Sequence, residues 1–418
     1  MDTLPSLVLR NVNLPSGRVA DITLADGKVT HVGAYQGTAD SFDCTALLVL
    51  PAAIDMHVHM RGGDQSAKED WKSGSMSALA GGVTVVVDQP NTVPPITTVQ
   101  HLGDRVSDAR AHAWCNFAIN SSVTAHTHLE EMWRAGAMAF GETFFAPSSF
   151  GDAIGDAALS RAMERIRAVD GLLTIHAEEV SDTPDTGMIS HDHSRSPEGE
   201  LQAVKAVRRL NKAGCRLHFC HLSTKRSIDA ASGTVEVTPH HLFLSLEDFE
   251  DNDPFGKVNP PLRTEKERKH LWGRSDRIDI IASDHAPHTC AEKAQGFSRA
   301  PSGIPGVETL LPLLLARVID GKIPLQSVIE KTSYKPAELL GIPRAGFSVG
   351  NRADFALFGR IPTPITTEML HSKCGWTPFE GHFALFPTTV IMGGRVVFQD
   401  GEFFKADPRW FSGKGLIP

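Results

Sequence analysis

The chain has 418 residues, a formal net charge of −8, 41% hydrophobic residues and 22% charged residues. This length exceeds that of most single domains, so we expect either a large barrel or two to three domains. The negative charge disfavours a nucleic-acid partner, which would favour a clustered basic face, and no apolar stretch is long enough to cross a membrane. These features favour a small-molecule substrate.

The start of the chain and its cysteines bear on the cellular compartment. Residues 1–5 lack the basic and apolar regions of a secretory signal. The six cysteines include no Cys-x-x-Cys pair, which disfavours both a disulfide framework and a thiolate zinc site. We therefore expect a cytoplasmic protein.

Short strand-like segments separated by turns occupy residues 6–35 at the start of the chain and residues 346–404 near its end. Both regions contain few helical signals. Together they predict one small β domain formed from both chain ends, with residues 1–52 as its N-terminal part and residues 342–418 as its C-terminal part.

Between these flanks, residues 53–341 alternate apolar, β-branched runs with helical stretches, a pattern typical of βα units around a parallel sheet. Eight such units predict an α/β fold with a closed (β/α)₈ barrel. A capping box at residues 66–69, Ser-Ala-Lys-Glu, predicts the start of the first helix, and Gly81 and Gly82 predict its end. The predicted strands cover residues 53–60, 83–88, 115–123, 137–145, 171–178, 215–223, 234–244 and 278–283.

Histidines and carboxylates fall at the predicted C-terminal ends of these strands, where barrel enzymes place their chemistry. His57 and His59 are one residue apart, so the alternation of side chains puts both imidazoles on one face of the first strand. Four histidines and two carboxylates can hold two divalent ions, with one carboxylate as a bridge between them. The predicted ligands are His57, His59, Glu142, His176, His221 and Asp284.

The order of these groups resembles the amidohydrolase superfamily and, within it, the class I dihydroorotases. The resemblance implies a metal-dependent, reversible hydrolysis of the cyclic amide L-dihydroorotate to N-carbamoyl-L-aspartate, a step of pyrimidine synthesis. The matching stretches are DMHVHMR at 55–61, DQPNTVPP at 88–95, HAEE at 176–179, HLST at 221–224, NPPLR at 259–263 and SDHAPH at 283–288.

The sequence departs from this family pattern at two places. Many relatives carry a carboxylated lysine on the fourth strand, whereas this sequence has no lysine between Lys72 and Lys205. Glu142 is the only ionisable residue of the predicted fourth strand and could supply the bridging carboxylate from its own side chain. After Arg61 the chain reads Gly-Gly-Asp where the family usually has an acid, a proline and a glycine, so the resemblance does not extend to this loop.

The chemistry constrains two further roles. Bound metal ions lower the pKa of water from about 15.7 toward about 7, and Asp284 at the edge of the site is expected to be both a ligand and the proton acceptor. Arg61 offers a planar guanidinium suited to the carboxylate of the substrate. Zinc is the metal we expect, although histidine and carboxylate ligands also accept manganese and cobalt.

The family resemblance also implies how the rest of the substrate is held. Asn91 and His288 would join Arg61 at the substrate carboxylate, Asn259 would lie near the ring, and the backbone of Gly303 would lie at its amide edge. Residues 289–302 are rich in Gly, Ser and charged side chains, and we expect them to form a mobile cover over the site.

Two other hypotheses remain open at this point. An allantoinase or a hydantoinase-type enzyme would share the metal ligands. These enzymes would bind the part of the substrate away from the metal ions differently, and Arg61 argues against both of them. A non-catalytic barrel that supports aspartate carbamoyltransferase would be expected to have lost ligands, and every ligand position is filled here. The sequence leaves open a homo-oligomer and an association with aspartate carbamoyltransferase.

Overall fold

The computed structural model describes residues 7–146 and 153–416, and the described chain begins with five strands. These are β1 (Leu7–Asn13), β2 (Val19–Ala25), β3 (Lys28–Gly33), β4 (Ser41–Asp43) and β5 (Leu48–Pro51). The first four form a sheet in the order β3-β2-β1-β4. Asp26 and Gly27 join β2 to β3 with φ of 49° and 71°, the left-handed values that a two-residue hairpin turn requires.

Eight short parallel strands follow and form the barrel. Nearly every residue in them is buried, as expected for strands that are covered on both faces. They are β6 (Ala53–Val58), β7 (Val83–Asp88), β8 (Asn116–Ile119), β9 (Phe140–Phe144), β10 (Leu172–His176), β11 (Arg216–Phe219), β12 (Thr234–Val237) and β13 (Ile280–Ile281). Two ladders, β6-β7-β8 and β13-β12-β11-β10-β9, are joined into a ring by parallel bridges from Val58 to His285 and from Ser121 to Phe140.

Helices connect the barrel strands and pack apolar faces onto them. Among the described residues, none of these helices combines the length and the apolar character that crossing a membrane requires. They are α1 (Trp71–Ala80), α2 (Val99–His112), α3 (Leu129–Arg134), α4 (Asp156–Ala168), α5 (Met188–Ser194), α6 (Pro197–Leu210), α7 (Lys225–Ala230), α8 (Pro239–Phe243), α9 (Glu265–Trp272), α10 (Cys290–Lys293), α11 (Leu310–Ile319), α12 (Leu325–Ile329) and α13 (Lys335–Leu340).

The last strands return to the region where the chain began. They are β14 (Phe355–Phe358), β15 (Thr363–Pro364), β16 (Phe383–Ala384), β17 (Pro387–Met392), β18 (Arg395–Gln399) and β19 (Glu402–Phe403). A sheet in the order β19-β18-β17-β14-β5 pairs β14 antiparallel with β5, so the two chain ends share it. One hydrophobic core lies between this sheet and the first sheet and includes Leu9, Ile22 and Phe355. The predicted barrel with a small β domain is confirmed, whereas the boundaries at residues 52 and 341 stay a prediction.

The predicted capping box at residues 66–69 is wrong. Helix α1 begins at Trp71, and its cap is Asp70, whose carboxylate accepts a hydrogen bond of 2.9 Å from the backbone N–H of Ser73. The carboxylate of Glu69 is buried and accepts hydrogen bonds from the hydroxyls of Ser73 and of the distant Ser372, so it does not turn back to cap a helix. A tertiary contact therefore overrides the local motif.

The predicted seventh strand is too long. Strand β12 ends at Val237, and Thr238 caps the short helix α8, which has Pro239 in its first turn. Both signals are typical of a helix start. Apart from β7, the other barrel strands are also shorter than predicted, because the residues that flank them are mostly buried as well.

Candidate metal centre and adjoining cavity

The six predicted metal ligands meet at the C-terminal mouth of the barrel, and all of them are buried. Glu142, on β9, lies at their centre. Its Oε1 is 2.8 Å from Nε2 of His221 and 3.0 Å from Nδ1 of His176. Its Oε2 is 3.5 Å from Nε2 of His57 and 4.0 Å from Nε2 of His59. One oxygen of Glu142 thus faces the histidines of β10 and β11, and the other faces those of β6.

Asp284 completes the group from the end of β13. Its Oδ1 is 3.1 Å from Nε2 of His59 and 3.5 Å from Nε2 of His57. The ligand atoms of His57, His59 and Asp284 lie within 4.8 Å of one another, and so do those of His57, Glu142 and His221. These two groups share His57, and His176 joins the second of them through its contact with Glu142.

The donor atoms present fit divalent metal ions. Nε2 of His57 is buried and has no hydrogen-bond partner among the described residues, although carboxylate oxygens of Glu142 and Asp284 lie 3.5 Å away. A buried ring nitrogen that faces two carboxylates without a hydrogen bond is a position that a cation would occupy favourably. Imidazoles and carboxylates without a thiolate suit zinc, manganese or cobalt.

The pKa values of His57 and Glu142 show that the ligand side chains interact strongly with one another. Burial alone would lower the pKa of His57, but the carboxylates of Glu236, Asp284 and Glu142 hold that pKa well above its ordinary value. Burial would likewise raise the pKa of Glu142, but the charge of His57 and the hydrogen bond from His176 hold that pKa well below its ordinary value. Glu142 is therefore an ionised carboxylate at the centre of the site.

A cavity of about 560 Å³ opens beside this centre, within the range of small-molecule sites. His59, Glu142, His176 and Asp284 form part of its wall, so a bound molecule would touch both groups of ligands. All the residues that were predicted to bind substrate also line this cavity, namely Arg61, Asn91, Asn259, His288 and Gly303.

Positive charge concentrates at one end of the cavity. Nη2 of Arg61 lies 3.4 Å from Nε2 of His288, and both residues are buried. Burial lowers the pKa of Arg61 to about 10, so its guanidinium remains charged at neutral pH. Burial and the nearby charges of Arg61 and Lys68 hold the pKa of His288 far below its ordinary value. This end of the cavity is suited to an anionic group.

Two asparagines offer polar groups along the same wall. Oδ1 of Asn91 accepts a hydrogen bond of 2.8 Å from Nδ1 of His59, which connects the cavity wall to the metal centre and leaves the amide –NH₂ as its donor group. Oδ1 of Asn259 is buried and has no hydrogen-bond partner among the described residues. An acceptor in this state fits an N–H group on a bound molecule.

Residues 289–302, the predicted mobile cover, lead to the cavity wall at Gly303. Lys293 is fully buried, and its ammonium donates to the backbone oxygens of Lys257 at 3.0 Å, Pro301 at 3.1 Å and Gly303 at 3.3 Å. These bonds restrict the segment, and its mobility stays a prediction. The N–H of Gly303 donates to the oxygen of Lys257 at 3.0 Å, so its backbone offers a ligand only the second lone pair of the carbonyl that already accepts from Lys293.

Comparison with known proteins places this arrangement in a family. The model of the amidohydrolase family matches residues 48–397. The chain belongs to the amidohydrolase family. It is 40% identical to a dihydroorotase of Methanosarcina acetivorans, over 95% of this chain and 93% of the relative. It is 41% identical to a dihydroorotase of Halobacterium salinarum, over 96% of this chain and 98% of the relative.

Solved structures show the same fold. The L-hydantoinase (dihydropyrimidinase) from Arthrobacter aurescens superposes with a TM-score of 0.92 at 26% identity, covering 98% of this chain and 100% of that chain. A D-hydantoinase (dihydropyrimidinase) from Thermus sp. superposes with a TM-score of 0.88 at 21% identity, covering 98% of this chain and 99% of that chain. The predicted barrel and the predicted resemblance to dihydroorotases are both confirmed.

The sequence analysis of this amidohydrolase missed Glu236, a buried carboxylate on β12 that supports two of the predicted ligands. Its Oε1 accepts hydrogen bonds from Nδ1 of His57 at 2.9 Å and from the backbone N–H of His221 at 3.0 Å. Its Oε2 accepts one from Nε2 of His218 at 3.0 Å. Because Nδ1 of His57 donates to Glu236, Nε2 is the ring nitrogen that remains to bind a metal ion.

We expect Glu236→Gln to weaken metal binding by about 10- to 100-fold, because a neutral amide no longer fixes the protonation and orientation of His57. Competition with a chromogenic chelator measures this affinity directly. Glu164→Gln, at an exposed position on α4, is the matched control. Equal affinity in both variants and the wild type would rule out this supporting role.

His176 has a corresponding partner in Glu178, which was also missed. Nε2 of His176 donates to Oε2 of Glu178 at 2.6 Å, and Nη1 of Arg195 donates to the same oxygen at 2.5 Å. Burial would raise the pKa of Glu178, but Arg195 and His176 hold it well below its ordinary value. His176 therefore presents Nδ1 to Glu142, whereas His57 presents Nε2.

Proposed function

We propose that this amidohydrolase is a dihydroorotase, which hydrolyses the cyclic amide of L-dihydroorotate reversibly to N-carbamoyl-L-aspartate. The observation that carries this proposal is Arg61, a buried cation paired with His288 in the cavity that adjoins the six ligands. L-dihydroorotate combines a cyclic amide with a carboxylate. In this cavity the amide would lie beside the six ligands, and the carboxylate would lie beside Arg61. Relatives named dihydroorotase, 38–41% identical over nearly the whole chain, support the proposal.

We propose that the site holds two divalent ions, with Zn²⁺ as the metal. His57, His59 and Asp284 would hold one ion, His176 and His221 the other, and Glu142 would bridge them. When bound, such ions lower the pKa of water from about 15.7 toward about 7 and polarise a carbonyl group. The short contacts of Glu142 with histidines of both groups support its role as the bridge.

Asp284 is the proposed acid–base group. Hydrolysis adds the hydroxyl group of water to the carbonyl carbon and a proton to the ring nitrogen as the C–N bond breaks. The carboxylate of Asp284 lines the cavity, so it can accept the proton from water and return it to the departing nitrogen. Ring closure uses the same carboxylate in the opposite order, in keeping with a reversible reaction.

The cavity wall orients the substrate. We propose that Arg61, His288 and the amide –NH₂ of Asn91 donate hydrogen bonds to the substrate carboxylate, and that Oδ1 of Asn259 accepts one from a ring N–H. Buried donors and acceptors hold the reacting amide in a fixed position relative to Asp284, which removes much of the entropic barrier. The carbonyl of Gly303 remains for the amide edge of the ring.

Hydantoin and allantoin lack a carboxylate, so binding either of them would leave the buried guanidinium of Arg61 without its anion. Incubation of the purified protein with L-dihydroorotate, hydantoin and allantoin tests the proposal. We expect kcat/KM for L-dihydroorotate to exceed the other two values by at least about 10²-fold, because a site built for a polar group rejects analogues that lack it. Turnover of hydantoin or allantoin alone would contradict the proposal.

The cellular setting follows from the same reaction. We propose that the enzyme acts in the cytoplasm, in pyrimidine synthesis, on a small-molecule substrate. A non-catalytic support for aspartate carbamoyltransferase is disfavoured because all six ligand positions are filled and converge. Assembly with further copies of the chain or with aspartate carbamoyltransferase stays a prediction.

A further inference from the structure

Lys68 lies in the loop between β6 and α1 and lines the cavity beside His288. Its ammonium nitrogen is 3.3 Å from Nδ1 of His288 and 2.8 Å from Oε1 of Glu292. On the other side of the ring, Nη2 of Arg61 is 3.4 Å from Nε2 of His288. The imidazole is therefore held between two cations, one on each ring nitrogen.

The donors around His288 limit which of its ring nitrogens can carry the proton. Lysine and arginine side chains only donate hydrogen bonds, whereas a neutral imidazole has one N–H and one lone pair. His288 can accept from one of the two cations, and the N–H on its other nitrogen then points at the second cation. Such a contact between two donors is unfavourable unless an acceptor lies between them.

The surroundings of the two ring nitrogens differ in a way that selects the arrangement. On the Nδ1 side, Lys68 is already paired with Oε1 of Glu292 on α10, and Oε2 of Glu292 is 3.8 Å from Nδ1, which is beyond hydrogen-bond distance. On the Nε2 side, Arg61 and the ring edge are the groups of the proposed carboxylate subsite. A substrate carboxylate on that side accepts from Arg61 and from Nε2–H together, which removes the conflict between the two donors.

We propose that Lys68 is a positioning residue that donates to Nδ1 of His288 and holds the ring in the Nε2–H form, so that His288 and Arg61 donate together to the substrate carboxylate. This role rests on the proposed function and extends it to a residue outside the metal centre. Glu292 holds Lys68 in place, which connects substrate recognition to helix α10.

Kinetics of Lys68→Met tests this role, because methionine keeps much of the apolar length and removes the donor. We expect KM for L-dihydroorotate to rise roughly 10- to 100-fold, the range for losing a hydrogen bond to a charged group, with kcat nearly unchanged. Lys68→Gln retains an N–H donor and is expected to recover much of the loss. Lys72→Met, at an exposed position on α1, removes the same charge and is expected to leave KM unchanged.

The tautomer can be observed directly by ¹⁵N NMR of the zinc-loaded enzyme with labelled histidines, in which the His288 signals are those that disappear in His288→Gln. We expect Nε2 to carry the proton in the wild type and Lys68→Gln, and Nδ1–H to become populated in Lys68→Met. A proton on Nδ1 in the wild type would overturn the proposal, whatever the variants do.

The two measurements separate this role from the proposed function. A wild-type enzyme without activity on L-dihydroorotate would refute the function, and the NMR spectra would still report the tautomer. An active wild type whose KM and His288 tautomer are unaltered by Lys68→Met would leave the function intact and refute the role of Lys68.

Discussion

Glu142→Ala is expected to lower kcat/KM for L-dihydroorotate by about 10³-fold or more and to release at least one bound ion. Among the six predicted ligands, Glu142 alone contacts histidines of both groups, at 2.8 and 3.0 Å through one oxygen and at 3.5 and 4.0 Å through the other. Loss of a metal that stabilises charge in the transition state costs several kcal/mol, and each 1.36 kcal/mol is about tenfold in rate.

Elemental analysis of metal per chain, together with steady-state kinetics, measures both effects of Glu142→Ala. Glu164→Gln is the control for loss of a carboxylate at an exposed position. Retention of both ions with activity within about tenfold of the wild type would show that another group links the ions.

Arg61→Met is expected to lower kcat/KM for L-dihydroorotate by about 10²- to 10³-fold, because truncating one partner of a buried charged pair costs about 2–5 kcal/mol. The backbone of Arg61 has a φ of 46°, and its carbonyl accepts a hydrogen bond of 2.6 Å from Nη1 of Arg105. Asp88 holds Arg105 in turn, with Oδ2 2.7 Å from Nε. The loop is thus fixed independently of the Arg61 side chain.

Arg61→Lys keeps the charge but not the planar pair of donors, so its kcat/KM should lie between those of the wild type and Arg61→Met. The ratio of kcat/KM between L-dihydroorotate and hydantoin is the most specific readout, since only the first substrate carries a carboxylate. Metal content should stay at the wild-type value. An unchanged ratio in Arg61→Met would place the carboxylate subsite elsewhere.

The convergence of the six predicted ligands could be foreseen because a closed barrel brings the ends of all its strands close together. The C-terminal ends of eight parallel strands form one ring, so His57 on β6 and Glu142 on β9 had to approach each other although they are 85 positions apart in the sequence. Many relatives carry a carboxylated lysine on the fourth strand, and its absence here left Glu142 as the ionisable residue of that strand. Its position between the two groups of histidines agrees with that reasoning.

The supporting residues could not be predicted in the same way, because their roles depend on tertiary contacts. Glu236 stands between Val235 and Val237, and an ionisable residue in a buried strand was the only available signal. Lys68 was assigned to a capping box, whereas its partner His288 lies 220 residues further along the chain. The strand ends were overestimated because the residues that flank the strands are mostly buried as well.

The most direct test is to titrate the metal-stripped protein with zinc and to measure turnover of L-dihydroorotate after each addition. This titration shows whether the six side chains hold two ions and whether the reaction requires both. We expect two ions to bind per chain, negligible turnover without metal, and full turnover only when both sites are filled. Full activity of the metal-stripped protein, or saturation of activity at one ion per chain, would refute a two-metal dihydroorotase.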